Sequence, residues 1–181
     1  MKELSLNILD LAQNSIKANA SHLEILLTRA GDWLTIQISD DGTGMSPAFA
    51  AEAANPFTTT RTTRTVGMGL PLFKMAAEQT GGTFSLVSQQ AQREGDAHGT
   101  TVCATFDTAH VDCEPLGNID ETILTLMQGN PDLSLTYIYR TEAGEQRLST
   151  DEMREVLGDE VPLNSPEVLA WAREFLQETQ V

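Results

Sequence analysis

Asp10 and Asn14 stand four residues apart in a stretch of helical character, and Lys17 follows three later, so all three share one face. An acid beside an amide places hard oxygen donors on a rigid element. Such donors suit magnesium, which prefers oxygen ligands and keeps several waters. A carboxylate one turn away can orient a water or hydroxyl against phosphorus. A second constellation is Asp40-Asp41-Gly42-Thr43-Gly44-Met45, a carboxylate at the end of an alternating apolar segment, with glycines after it. The acid can accept from an exocyclic amine, and the glycines let a flat ring approach the backbone. A third is Gly67-Met68-Gly69-Leu70-Pro71, glycines just before a helix start, where free amides and the helix dipole favour an anion. His98-Gly99-Thr100-Thr101 opens a later strand. Taken singly, each has an ordinary explanation: a solvated helix face, an Asp-Gly turn, a proline-started helix, a turn into a strand. A Walker A loop is absent. The dinucleotide fingerprint fails, because its last glycine falls on Leu72 and a loop precedes it.

The elements that must carry these residues follow from periodicity. Residues 3–19 read as a helix, with Leu4, Ile8, Leu9, Leu11, Ala12, Ser15 and Ile16 on a broad face and a narrow polar stripe opposite. Residues 22–28 and 33–39 alternate apolar and polar and read as a strand hairpin across Arg29–Asp32. Residues 46–66 read as loop, with a short helix near Pro47–Ala54 and a mobile Thr- and Arg-rich section over 58–65. A helix from Leu70, with Pro71 in its first turn, ends at Gly81-Gly82. Strands follow at 83–89 and 100–106. After a connector at 112–118 the pattern predicts a helix over 119–128, a strand over 133–140 and a turn at Ala143-Gly144. A helix capped by Ser149 or Thr150 comes next, and a last one runs from Ser165 to about Thr179.

Composition narrows the class of partner. The chain has 181 residues, 40% of them hydrophobic, which is enough for one packed domain or one plus a small appendage. A net charge of −15 argues against nucleic acid or anionic membrane as partner, so a polyphosphate site must be built locally from amides, a cation and a few basic side chains. No apolar run approaches the roughly 20 residues of a membrane span. Met1-Lys2-Glu3-Leu4 does not open a signal peptide, so a cytoplasmic protein is expected. Cys103 and Cys113 suggest neither a disulfide nor a metal site; Cys103 is expected inside a strand and Cys113 in the connector.

The order and spacing of the constellations resemble the GHKL superfamily of histidine kinase-like ATPases over about residues 3–106. Asp10–Ala18 is similar to its N box and Asp40–Met45 to its G1 box. Asn55-Pro56-Phe57 with Thr58–Arg64 is similar to the F box and ATP lid, Gly67-Met68-Gly69-Leu70 to the G2 box, and Gly99-Thr100 to the G3 position. The resemblance implies an α/β fold of the α+β two-layer type, the Bergerat fold, in which helices cover one face of a mixed sheet. Residues 1–110 would form the ATP-binding domain and 111–181 a small C-terminal α+β extension, packing on that domain or recognising a partner.

The same resemblance implies ATP with Mg2+ as ligand and the following roles. Asn14 ligates the metal, Asp40 accepts from the adenine amino group, Gly42 and Gly44 give the base room, and Met45 packs against it. Phe57 belongs to the F box. Gly67, Met68, Gly69 and Leu70 lie at the phosphates, and Thr100 holds the adenine end. Lys17, Arg61 and Arg64 stand within reach of phosphate, the arginines by charge alone. Asp10 is the catalytic base, where hydrolysing members usually carry Glu. Slow hydrolysis, phosphoryl transfer to a protein partner and a non-catalytic ATP-dependent switch all remain open. None of the three histidines sits in a His-Glu or His-Asp helical motif, so a layout similar to an anti-sigma-type Ser/Thr kinase is favoured over His autophosphorylation.

Overall fold

The computed structural model describes residues 3–55 and 68–178. Within them the chain runs α1 (Leu4–Lys17), β1 (His22–Ala30), β2 (Trp33–Asp40), α2 (Pro47–Ala53), α3 (Gly69–Gln79), β3 (Phe84–Gln89) and β4 (Gly99–Asp107). It continues as α4 (Ile119–Gly129), β5 (Ser134–Arg140), β6 (Glu145–Ser149), α5 (Thr150–Leu157) and α6 (Pro166–Glu178). The strands form one six-stranded sheet in the order β3-β4-β2-β1-β5-β6. Neighbours are antiparallel except β1 and β5, which run parallel, so the sheet is mixed.

Register shows why one face is covered. Leu86, Val102, Ile38, Ile25, Tyr137 and Leu148 are successive cross-strand partners, so one row of mainly large apolar side chains crosses every strand. The next row is Phe84, Ala104, Ile36, Leu27, Tyr139 and Gln146. Because side chains alternate along a strand, these rows share a face. Against it pack Leu4, Ile8, Leu11 and Ala12 of α1, Phe73 and Ala77 of α3, and Ile123, Leu126 and Met127 of α4. The other face carries half-buried Glu24, Thr35, Gln37, Ser39, Thr101 and Thr105, so the molecule has two layers, helices on sheet. Cys103 lies in β4 on that second face, half-buried, and Cys113 lies in the connector.

The helix starts follow capping chemistry. Ser46 accepts from the Phe49 amide with Pro47 at the first turn, Asn118 accepts from Glu121, and Ser149 accepts from Glu152. Met68, at the start of α3, has no such cap to offer.

Residues 111–178 do not stand off the sheet: β5 and β6 extend it and α4 packs on α1. The helix capped by Ser149 stands where the pattern places it, but between it and the turn at Ala143-Gly144 the pattern assigns no element, and there β6 stands. Glu145-Gln146-Arg147-Leu148-Ser149 has one large apolar residue in five, which hides its alternation. Antiparallel pairing with β5 through the turn at Ala143-Gly144 supplies the missing stabilisation.

Candidate functional site

The core rows turn polar at one end. One pleat beyond Val102 and Ile38, the cross-strand partners are Ser88, Thr100 and Asp40. All three point to the helix-covered face, where the helices leave a cavity of about 270 Å³. Its floor is Ile38, Asp40, Thr100 and Val102. Its walls are Leu11, Asn14, Ser15, Lys17 and Ala18 of α1, Thr43, Gly44 and Met45 of the following loop, Phe49 of α2 and Leu70 of α3.

Asp40 is held at both oxygens. The Ser15 hydroxyl donates to Oδ2 at 2.6 Å and the Gly42 amide to Oδ1 at 2.9 Å. A carboxylate has about four acceptor sites, so this anchoring fixes its direction and still leaves acceptor capacity. Thr100 is tied to Ser88 at 2.7 Å between hydroxyl oxygens, and Ser88 Oγ also accepts from the Met45 amide at 2.8 Å. A chain of short bonds therefore links the strand floor to the glycine loop. His98 Nδ1, on the residue before β4, donates to the Gly42 carbonyl at 2.7 Å and clamps the same loop.

Asp41 does a different job. Its Oδ1 accepts from the amides of Ser21 and His22, each at 2.8 Å, and its Oδ2 from the Ser21 hydroxyl at 2.6 Å and His22 Nδ1 at 2.9 Å. Burial pushes this carboxyl up, but the hydrogen bonds outweigh it and hold it well below the ordinary carboxylate value.

The glycines are places of close approach. A Cβ on Gly44, whose φ is +72°, would lie 1.9 Å from the Gln89 carbonyl oxygen. One on Gly42 would meet Ala18 at 2.9 Å, so the bare side of Gly42 faces the end of α1, and Gly42 is not among the cavity-lining residues. One on Gly69 would lie 2.1 Å from Asp10 Oδ2. The first turn of α3 thus abuts the acid of α1, and negative charge there is favoured by the helix dipole.

The structure brings Asn14, Lys17, Asp40, Gly44, Met45, Leu70 and Thr100 to one cavity. Asp10 and Gly69 meet beside it, and Met68 is exposed at the head of α3. Phe57, Arg61, Arg64, Gly67 and the section 58–65 lie outside the described residues. Three participants escaped the sequence reading. Ser15 falls within the apolar face of α1 by periodicity. Ser88 is the polar residue in the inward set Phe84, Leu86, Ser88, which was its signal. Phe49 is the one large apolar residue of α2. Among the described residues no group of three or more His, Cys, Asp or Glu could hold a metal ion, and no helix is long and apolar enough to cross a membrane.

An open mixed sheet with one helical layer, and a cavity walled by a polar helix face and a glycine loop, define a class of ATPase domain. Residues 2–110 match the family described as histidine kinase-, DNA gyrase B- and HSP90-like ATPase, and the chain belongs to it. Among relatives, the C4-dicarboxylate transport sensor protein DctS of Rhodobacter capsulatus is 34% identical over 84 residues, 43% of this chain and 13% of that protein. A putative sensor histidine kinase NtrY-like of Rickettsia conorii is 23% identical over 113 residues, 62% of this chain and 18% of that protein. The chain therefore matches less than a fifth of either relative's length. Two solved structures share the fold. The N-terminal domain of a DNA repair protein has a TM-score of 0.60 at 17% identity, covering 88% of this chain and 58% of its own. The Aquifex aeolicus MutL ATPase domain complexed with ADP has 0.56 at 15%, covering 86% and 69%. Such coverage cannot be reached without part of the segment after residue 110.

Proposed function

We propose that the cavity binds ATP with magnesium, and that the chain is a regulatory ATPase-type protein that hydrolyses ATP slowly or passes its γ-phosphoryl group to a partner protein. The observation that carries this is convergence: the anchored Asp40, Asn14 and Leu70 of α3 line one cavity, and the junction of Asp10 with α3 lies beside it. The chemistry of the donors fits. Asp40 offers acceptor sites from a polar floor, and Ile38, Val102, Met45 and Leu70 supply apolar surface for a flat ring. The cavity is near the small end of ligand sites, roughly 300 Å³, and suits a base and sugar more than a whole triphosphate. The remainder would extend past Asn14 and Lys17 toward α3. Magnesium, held through Asn14, phosphate oxygens and water, would neutralise phosphate charge on a chain that repels it. Asp10 would take the proton from an attacking water or a partner's hydroxyl.

A second reading has one observation in its favour. Asp10 leans on Gly69 and is not among the cavity-lining residues, and with Asp in place of Glu its reach is one methylene shorter. ATP would then act as a conformational ligand, without turnover. The ADP-bound structural relative and the sensor-kinase relatives support nucleotide as ligand under both readings. The acidic surface, with a net charge of −15, is in keeping with a cytoplasmic protein whose partner is another protein, neither nucleic acid nor membrane.

Thermal melts with ATP or ADP, each with and without magnesium, test the shared claim. Ligand at a hundredfold excess over Kd should stabilise by about 2.7 kcal/mol, and a melt indifferent to nucleotide would sink it. Release of labelled γ-phosphate by the wild type, lost in Asp10→Asn, supports turnover. Binding by both proteins with turnover by neither supports the switch.

A further inference from the structure

A second concavity, of about 600 Å³, lies between β6, α5 and α6, at the far end of the sheet from Asp40. Leu148, Met153 and Val168 form its buried base. Val156 and Trp171 stand at its mouth, 86% and 51% exposed, with Leu157 and Val161 beside them. The Trp171 ring stacks on Phe175 at 5.3 Å between centroids and 14° between planes. Single exposed apolar side chains are ordinary, but several converging on one groove mark an interaction surface. A rigid exposed tryptophan is the residue type that most often anchors a partner.

The charges around the groove are one-sided. Its one basic residue, Arg147, is paired with Glu152. Arg154 of α5 is paired with Asp151, and Arg173 of α6 with Glu121. Glu155, Glu160, Glu167 and Glu174 are exposed and make no ion pair with another described residue. On α6 the positions of Glu167, Trp171 and Glu174 fall on one helix face, so acids flank the ring on both sides. On α5, Glu152 and Val156 likewise share a face, with Glu155 beside it.

We propose that this groove docks an amphipathic helix of another protein, apolar along the stripe that enters and lined with Lys or Arg where it meets the rim. A helix in a groove uses such a pairing of anchors and flanking charge. A second copy of this chain is a poor occupant, since two acidic rims would meet and each chain carries −15. The proposal does not rest on nucleotide binding, because β1 and β5 separate the groove from the strand that ends in Asp40.

The test uses the full chain and two labelled peptides of roughly 18 residues, five helical turns, one with Leu and Lys at amphipathic spacing and one with Leu and Glu. Fluorescence anisotropy should show binding of the Leu/Lys peptide only. Val156→Asp, Trp171→Ala and the double variant Glu167→Lys/Glu174→Lys should each weaken it by about tenfold or more, while circular dichroism and ATP-dependent melts stay as in the wild type. Should Trp171→Ala fold poorly, Val156→Asp carries the result, because that side chain is almost fully solvated. Equal binding to wild type and Val156→Asp would mean diffuse attraction to an acidic surface and overturn the proposal. So would no binding, binding of the Leu/Glu peptide, or a wild-type dimer in sedimentation that Val156→Asp dissociates.

Discussion

Asp40 and Asp41 are the same side chain in adjacent positions, and backbone alternation sends them to opposite tasks. Asp40 ends the inward row and meets the cavity; Asp41 leaves the row and ties the loop to the start of β1. In Asp40→Asn the Oδ1 atom can still accept from Gly42 and the Ser15 hydroxyl can turn to accept from the new amide group, but toward a ligand amine that group is donor against donor. ATP binding should weaken by about 1–3 kcal/mol in titration calorimetry, with the fold retained. Unchanged affinity would place the base elsewhere. For Asp41 the folded carboxyl titrates below its unfolded value of 3.8, so its contribution to stability is fully present above that value. That contribution fades as pH falls from about 4 toward the folded value. In acid melts Asp41→Asn should therefore lose stability near neutrality and show a flatter decline below about pH 4 than the wild type. Parallel curves would show that the carboxylate's charge contributes nothing.

The elements meet through absent side chains. At Gly69 the obstacle to a Cβ is the flexible end of Asp10, whereas at Gly44 it is the fixed carbonyl of Gln89, and the backbone there has positive φ. Gly69→Ala should thus melt within about 1 kcal/mol of the wild type, the better helix propensity of alanine offsetting the displacement. Any turnover should fall, because Asp10 is pushed aside. Gly44→Ala should lose at least about 2 kcal/mol and ATP affinity with it, since Met45 is on the same loop and its amide donates to Ser88, which is tied to Thr100. Thermal melts with phosphate release would separate the two; equal destabilisation would mean α1 and α3 are packed more rigidly than this contact implies. These junctions were legible in the sequence because each falls at an element's end, where glycine, proline and acid interrupt a clear period. Ser15 and Ser88 were not, because a small polar residue inside an apolar pattern reads as a packing filler until its cross-strand neighbour is known. The strand β6 was hidden for the opposite reason: its alternation is written in Gln146 and Leu148 among charges, and its stability comes from β5.

Across the whole molecule, periodicity marks every strand except β6 but not the order in which they pair, since alternation says which face is inward and nothing about the neighbour. The parallel pairing of β1 with β5, from His22 with Ser134 to Thr28 with Arg140, is the result that sequence could not supply. It places β1 in the interior of the sheet, and its Leu23, Ile25 and Leu27 are at most 1% exposed. The first turn of α1 is held from the same side. The amides of Leu4 and Ser5 donate to the carbonyls of Pro115 and Leu116, and the Thr122 hydroxyl to the Ser5 carbonyl. Cutting the chain after residue 110 would therefore open an edge at β1, strip α4 from α1 and leave Leu4 and Ile8 facing water. Residues 1–110, although they coincide with the family match, should accordingly be expressed as an aggregated or partly unfolded species with little protection of β1 amides in hydrogen exchange. Restoring residues 111–140 alone should recover less than the full chain, because β5 would then be the bare edge. If residues 1–110 instead melt cooperatively and bind ATP as tightly as the whole protein, the six strands form two separable units, and β5 and β6 add only a surface for partners.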